Sequence, residues 1–162
     1  KGQTSPRSAA GFVTKSTPGG AIEPSLKPLE VALTAGATFV AQGFSTDIKE
    51  LTALIEAGLN HKGFSFINVF SPCVTYNKVN TYDWFKENLT KLSDIEGYDS
   101  SNRQLAMQTV MQREGLVTGI VYHDKETKSY QEKVVGYSEI PLTDIDISLS
   151  EDQFDQLVKE FM

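Results

Sequence analysis

Phe64-Ser-Phe-Ile-Asn-Val-Phe-Ser-Pro-Cys73 is the stretch on which the fold class turns. From Phe64 to Phe70, five of seven positions are apolar and fall on both faces of an extended chain. That is the pattern of a strand covered on both sides, so an interior parallel strand is expected over residues 64–70. Pro72 closes the strand and Cys73, the only cysteine, follows it. In open α/β sheets, ligands gather in the crevice at the carboxyl ends of the strands, and Cys73 occupies such a position.

Working upstream, Ile48, Leu51, Leu54 and Ile55 recur at helical spacing as far as Gly58. Ser45 or Thr46 is the expected cap, and Asp47 and Glu50 complement the positive end of the helix dipole. Ala37-Thr-Phe-Val-Ala-Gln42 reads as a short strand before it, which makes a strand–helix–strand unit with a right-handed crossover. Before that, Pro28 suits a first helical turn, Leu29, Ala32 and Leu33 share a face, and Gly36 is a stop signal, so a helix is expected over 28–35. Residues 1–27 are rich in Gly, Ser, Thr and Pro without helical or strand period and read as a long loop, either an active-site cover or a frayed end. Downstream, helical spacing predicts helices over 82–92 and 102–113 and a strand over 116–122. Residues 125–130 read as turn-like, and Ser150-Glu-Asp-Gln153 is a capping-box pattern opening a terminal helix whose Phe154, Leu157, Val158 and Phe161 share a face.

With 162 residues, 40% hydrophobic and 22% charged, the chain has the composition of one ordinary globular domain, with room for a small appendage. No apolar run approaches the ~18 residues of a membrane span. The net charge of −6 argues against a nucleic-acid partner. A single cysteine gives no internal disulfide and no sign of an oxidising compartment, so the cytoplasm is the expected location. The chain opens on Lys1 with no signal segment, and a fragment of a longer protein is expected.

By its residue type alone, Cys73 reads more readily as a small buried hydrophobe than as a reactive group. Its place after Pro72, at a strand-to-loop transition, weakens that reading. Any iron–sulfur site here would need thiolates from elsewhere. His61 and His123 lie far apart in sequence, without metal-ligand spacing, and read as structural or exposed. In Lys1-Gly-Gln-Thr-Ser-Pro6, Gly2 permits close backbone approach to a ligand, and Gln3, Thr4 and Ser5 offer donors to an anion. No P-loop, dinucleotide glycine pattern or nucleophile elbow occurs. The acidic stretch 144–160 reads as a solvated helix face.

Read together, Lys1-Gly-Gln-Thr-Ser-Pro6 and Ser71-Pro-Cys73 resemble the β subunit of the thiamine-diphosphate-dependent 2-oxoacid:ferredoxin oxidoreductases, over roughly its C-terminal half or more. The resemblance implies an α/β fold. Residues 1–95 would be the C-terminal part of a thiamine-diphosphate-binding domain with a parallel sheet, and residues 96–162 a C-terminal extension. It implies that Lys1 meets the substrate carboxylate, as in members handling 2-oxoglutarate or a broad range of 2-oxoacids, and that Gly2 and Gln3 belong to the cofactor-binding loop. It makes Cys73 the fourth ligand of a four-iron cluster. The implied reaction is oxidative decarboxylation of a 2-oxoacid to acyl-coenzyme A with electrons passed to ferredoxin, in a complex with an α subunit. The Gly-Asp-Gly motif for Mg²⁺ and three further cluster cysteines are not in this sequence, so the chain alone is expected to be inactive. Two other readings stay open: a non-catalytic α/β interaction domain with a buried, structural Cys73, and a thiamine enzyme without a cluster.

Overall fold

The computed structural model describes residues 2–146 and 148–161, apart from the side chain of Leu142. Residues 1–129 and 130–162 form two compact units. In the first, α1 (Pro28–Thr34), β1 (Phe39–Phe44), α2 (Ile48–Asn60) and β2 (Ser65–Phe70) follow one another, then α3 (Tyr82–Asn88), β3 (Thr90–Lys91), α4 (Arg103–Gln112) and β4 (Val117–His123). The second holds α5 (Tyr130–Lys133) and α6 (Glu151–Glu160).

The sheet order is β2-β1-β4-β3. β1 pairs in parallel with β2, from Phe39 opposite Ser65 to Phe44 opposite Phe70, and β3 pairs in parallel with β4. β1 and β4 run antiparallel, with a register irregularity between Val40 and Ala41. The α/β class and the strand–helix–strand unit are as expected, but the interior strands are β1, all six of whose residues are buried, and β4. β2 is an edge strand with Val69 39% exposed, so the expectation of an interior strand over 64–70 is corrected. A two-faced apolar run reports that both faces are at least half covered. It does not report whether a second strand pairs on the far side.

Successive residues of β1 point to opposite faces. Val40 joins Leu29, Leu33, Val110, Val117 and Val121 in one core, beneath α1 and α4. Phe39 and Ala41 join Leu54 beneath α2. Fully burying a side chain the size of Phe39 stabilises by roughly 1.5–3 kcal/mol. α2 reaches the sheet closely because Gly43 and Gly58 lack side chains: a Cβ on Gly43 would lie 2.8 Å from Leu51 Cδ1, and one on Gly58 would lie 2.7 Å from Ile67 Cδ1. The expected stripe on α2 is narrower than its periodicity suggests, since Ile48 is 73% exposed while Leu54 and Gly58 are buried. Its cap is Asp47, whose carboxylate accepts from the Glu50 N–H, rather than Ser45 or Thr46.

The helix expected over 82–92 stops at Asn88, and Thr90–Lys91 pair with β4 instead. Leu92 is buried in the turn that follows, so its apolar spacing serves the core without extending the helix. β4, from the stretch expected as the C-terminal extension, lies between β1 and β3 in the sheet. In the second unit, Ser150 and Gln153 form the expected capping box of α6.

Candidate functional site

The loop of residues 2–27 folds upon itself. Gly11 N–H donates to Ala21 O, Ala21 N–H donates to Phe12 O, and Leu26 N–H donates to Pro6 O. Together with the carboxyl end of β2, the segment after it, α3 and the residues after α4, this loop walls a cavity of about 500 Å³. The cavity lies where the carboxyl end of β2 opens, the position expected for a ligand of an α/β sheet. Its apolar wall includes Phe70 and Phe85, which pack on Phe44.

Cys73 lines this cavity and is exposed, which removes the reading of a buried, structural cysteine. The chain turns sharply behind it: Asn77 N–H donates to Cys73 O, and Asn77 Oδ1 accepts from the N–H groups of Val79 and Asn80. The turn aims backbone N–H groups at the sulfur. Those of Tyr76 first and Thr75 next hold the thiol below its usual range, because they stabilise the thiolate. A thiolate-favouring, accessible sulfur is the form that ligates metals or reacts.

A second polar group at the cavity is fixed by logic reaching into the core. Gln42 on β1 is fully buried, and its Nε2 donates to Gly115 O at 2.7 Å and Val117 O at 2.6 Å. Carbonyls only accept, so this nitrogen must point at them, and Gln42 Oε1 is left as an acceptor. Asn68 Nδ2 donates to that oxygen at 2.5 Å. Asn68 therefore cannot flip, and its Oδ1 acceptor is set in a cavity-lining residue. Nearby, Glu114 also lines the cavity with φ of 52°, the one non-glycine among the described residues with positive φ.

Arg7 lines the same cavity. Its guanidinium carbon stands 5.2 Å from the centre of the Phe70 ring. Partial desolvation pushes its pKa down. Among the described residues it has no ion pair within 4.0 Å, and its hydrogen bonds are made by the backbone: Ser25 Oγ donates to Arg7 O at 2.8 Å. Ser5 and Ser8 stand on the same loop, with Ser5 N–H donating to Ser8 Oγ.

Of the residues singled out by sequence, Lys1 lies outside the described residues. Gly2 has φ of 68°, and its carbonyl accepts from Ser16 Oγ at 3.1 Å. A Cβ on Gly2 would sit 3.5 Å from the Tyr76 ring, so the loop start lies against the turn that carries Cys73. Gln3 is exposed. The two motifs, over 60 residues apart in sequence, thus meet in space. His61 and His123 also meet, with ring centres 5.2 Å apart, but at the amino ends of β1 and β2, away from the cavity. His61 Nε2 is 2.8 Å from Thr38 Oγ1, and both rings pack on Phe39. Sequence reasoning missed Arg7, Gln42 and Asn68. A buried-strand Gln and a lone loop Arg beside Pro6 were the available signals.

Among the described residues no three His, Cys, Asp or Glu side chains gather into a metal site. The donor set at Cys73 fits one thiolate of a cluster completed from elsewhere, and nothing more. No described helix is long and apolar enough to cross a membrane.

Residues 73–139 match the family described as the C-terminal region of the pyruvate ferredoxin oxidoreductase beta subunit. The chain is 31% identical over 144 residues to a 2-oxoacid:ferredoxin oxidoreductase subunit beta of Sulfolobus, covering 83% of this chain and 47% of that one. It is 39% identical over 77 residues to the 2-oxoglutarate oxidoreductase subunit KorB of Mycobacterium tuberculosis, 48% of this chain and 21% of that one. Its fold matches, with a TM-score of 0.72 and 35% identity, the 2-oxoglutarate:ferredoxin oxidoreductase from Magnetococcus marinus with 2-oxoglutarate, coenzyme A and succinyl-CoA bound, over 79% of this chain and 44% of that one. The chain thus spans less than half the length of these relatives.

Proposed function

We propose that this chain, which belongs to the β-subunit family of the 2-oxoacid:ferredoxin oxidoreductases, is the carboxyl-terminal part of a β subunit that oxidatively decarboxylates a 2-oxoacid, 2-oxoglutarate being favoured. The acyl group goes to coenzyme A, and the electron pair goes to ferredoxin. The enzyme is made whole by the α subunit and by the remainder of the β subunit. The observation that carries this reading is Cys73: an accessible sulfur, held toward thiolate by backbone N–H groups, on a cavity at the carboxyl end of a parallel strand.

When bound, thiamine diphosphate with Mg²⁺ supplies a stabilised carbanion and a four-iron cluster supplies one-electron transfer, chemistry that belongs to those groups and not to side chains. The chain's own residues bind and orient. Cys73 would contribute one thiolate to the cluster, and the N–H groups of residues 75–77 favour that thiolate form. Gly2 and Gln3 border the cofactor loop, where a glycine with positive φ lets the backbone approach an anionic group closely. Lys1 offers a point charge to the substrate carboxylate. Phe70 and Phe85 give one side of the cavity an apolar wall.

The test is Cys73→Ser and Cys73→Ala in the complete enzyme, purified without oxygen. Iron content and visible absorbance should drop in both variants, because a neutral hydroxyl replaces a soft thiolate poorly. Full cluster occupancy in both would remove Cys73 as a ligand.

A further inference from the structure

Arg103 and Arg7 show what a satisfied and an unsatisfied guanidinium look like in this chain. Each stands over an aromatic ring, Arg103 at 4.2 Å from the centre of Tyr122 and Arg7 at 5.2 Å from that of Phe70. Arg103 then spends its donors inside the fold, on Leu33 O at 2.6 Å and Ala37 O at 2.8 Å. Arg7 has no such carbonyl and no carboxylate within ion-pair distance among the described residues, Glu114 on the same cavity included. Its backbone is pinned by Ser25 Oγ and by the Leu26 N–H to Pro6 O bond, so the loop is held while the guanidinium fork is left over. A planar fork of donors, with one face on an aromatic ring in a cavity of about 500 Å³, has the geometry that recognises oxyanions.

We infer that Arg7 is the contact for an oxyanion group, a carboxylate or a phosphate, of a small ligand held in the cavity between the 2–27 loop and the end of β2. Asn68, oriented by Gln42, offers the same ligand a fixed hydrogen-bond acceptor. The inference rests on the proposed function, under which two anionic small molecules must be bound: the 2-oxoacid through a carboxylate, and coenzyme A through its phosphates.

The experiment uses the complete two-subunit enzyme with Arg7→Met and Arg7→Lys. Steady-state kinetics are read with 2-oxoglutarate, with pyruvate and with varied coenzyme A, and binding of glutarate, a dicarboxylate that does not react, is read by calorimetry. Arg7→Met should raise KM for the ligand that Arg7 touches by tenfold or more while kcat stays within about threefold, and Arg7→Lys should recover part of the loss. A rise for 2-oxoglutarate but not pyruvate, with weaker glutarate binding, assigns the contact to a distal carboxylate. A rise for both acids assigns it to the carboxylate beside the keto group, and a rise for coenzyme A alone to a phosphate. Michaelis constants and glutarate binding all within twofold of wild type would overturn the inference and leave the proposed function standing. Wild-type enzyme that oxidises neither acid would take down both.

Discussion

The two ends of the sheet carry similar side chains to different effect. At the amino ends of β1 and β2, Arg103, His61, His123 and Thr38 are engaged with one another or with the fold: Arg103 bonds two carbonyls, and Thr38 Oγ1 accepts from Phe64 N–H at 2.9 Å while lying 2.8 Å from His61 Nε2. At the carboxyl end of β2, Arg7 and Cys73 face a cavity with no hydrogen bond or ion pair from their functional atoms to another side chain. A polar group that already has its partners contributes stability. One that is held in place without them is left to a ligand. The contrast explains why chemically capable residues at one end, including two histidines in contact, make a poorer site than an arginine and a cysteine at the other.

The largest effect should come from Gln42, the buried anchor that the cavity end does have. Gln42→Met strands the carbonyls of Gly115 and Val117 and frees Asn68, and each buried group left unsatisfied costs about 1–3 kcal/mol. A loss of about 3 kcal/mol or more in urea-denaturation stability is expected from three such groups. Stability near wild type would mean water fills the gap and Asn68 is not fixed by the core.

The arginine pair gives the next largest difference. Arg103→Met should destabilise by about 2–4 kcal/mol, since two carbonyl bonds to a charged donor and a ring contact go together. Arg7→Met should change stability by less than about 1 kcal/mol, as for a side chain with a ring contact but no internal hydrogen bond or ion pair. Equal losses in the two variants, read by the same denaturation series, would break the comparison and make Arg7 a structural residue.

The smallest effect is a pH dependence confined to the amino end. Burial, first, and then the charge of His123 hold His61 below its ordinary 6.5, with Asp124 opposing. Burial, first, and then Lys125 do the same to His123, again against Asp124. Both rings therefore take up protons less readily in the fold than in the unfolded chain, which does so below about pH 6.5. Their contribution is fully present above that pH and is lost as pH falls toward the folded values. The denaturation midpoint should therefore drop as the pH is lowered from about 7.5 to about 5.5, and drop less in the double variant His61→Asn, His123→Asn. An identical pH slope in wild type and double variant would show that the pair is not what titrates.

Much of this arrangement is legible in the residues. The β1–α2–β2 unit, α1 with its proline start and glycine stop, α4 and the capping box of α6 all follow from local periodicity and capping chemistry, which act within a few residues. The place of Cys73 at a strand's carboxyl end is readable because Pro72 and the apolar run before it are contiguous. Its exposure is not, since a lone cysteine by residue type reads more readily as a buried hydrophobe. The edge position of β2 escapes the sequence because sidedness shows in the pattern of one strand and pairing does not.

What the sequence by itself determined is therefore local: which segments are helix or strand, where they stop, and which motif follows a strand. The tertiary structure alone decided the sheet order, the contact of His61 with His123, the approach of Gly2 to the Cys73 turn and the locked Gln42–Asn68 pair. These join residues from about 25 to 75 positions apart, a range over which neither periodicity nor propensity carries information. Only closure of the chain around a common core fixes which distant donors and acceptors meet, and which, like those of Arg7, are left without a partner.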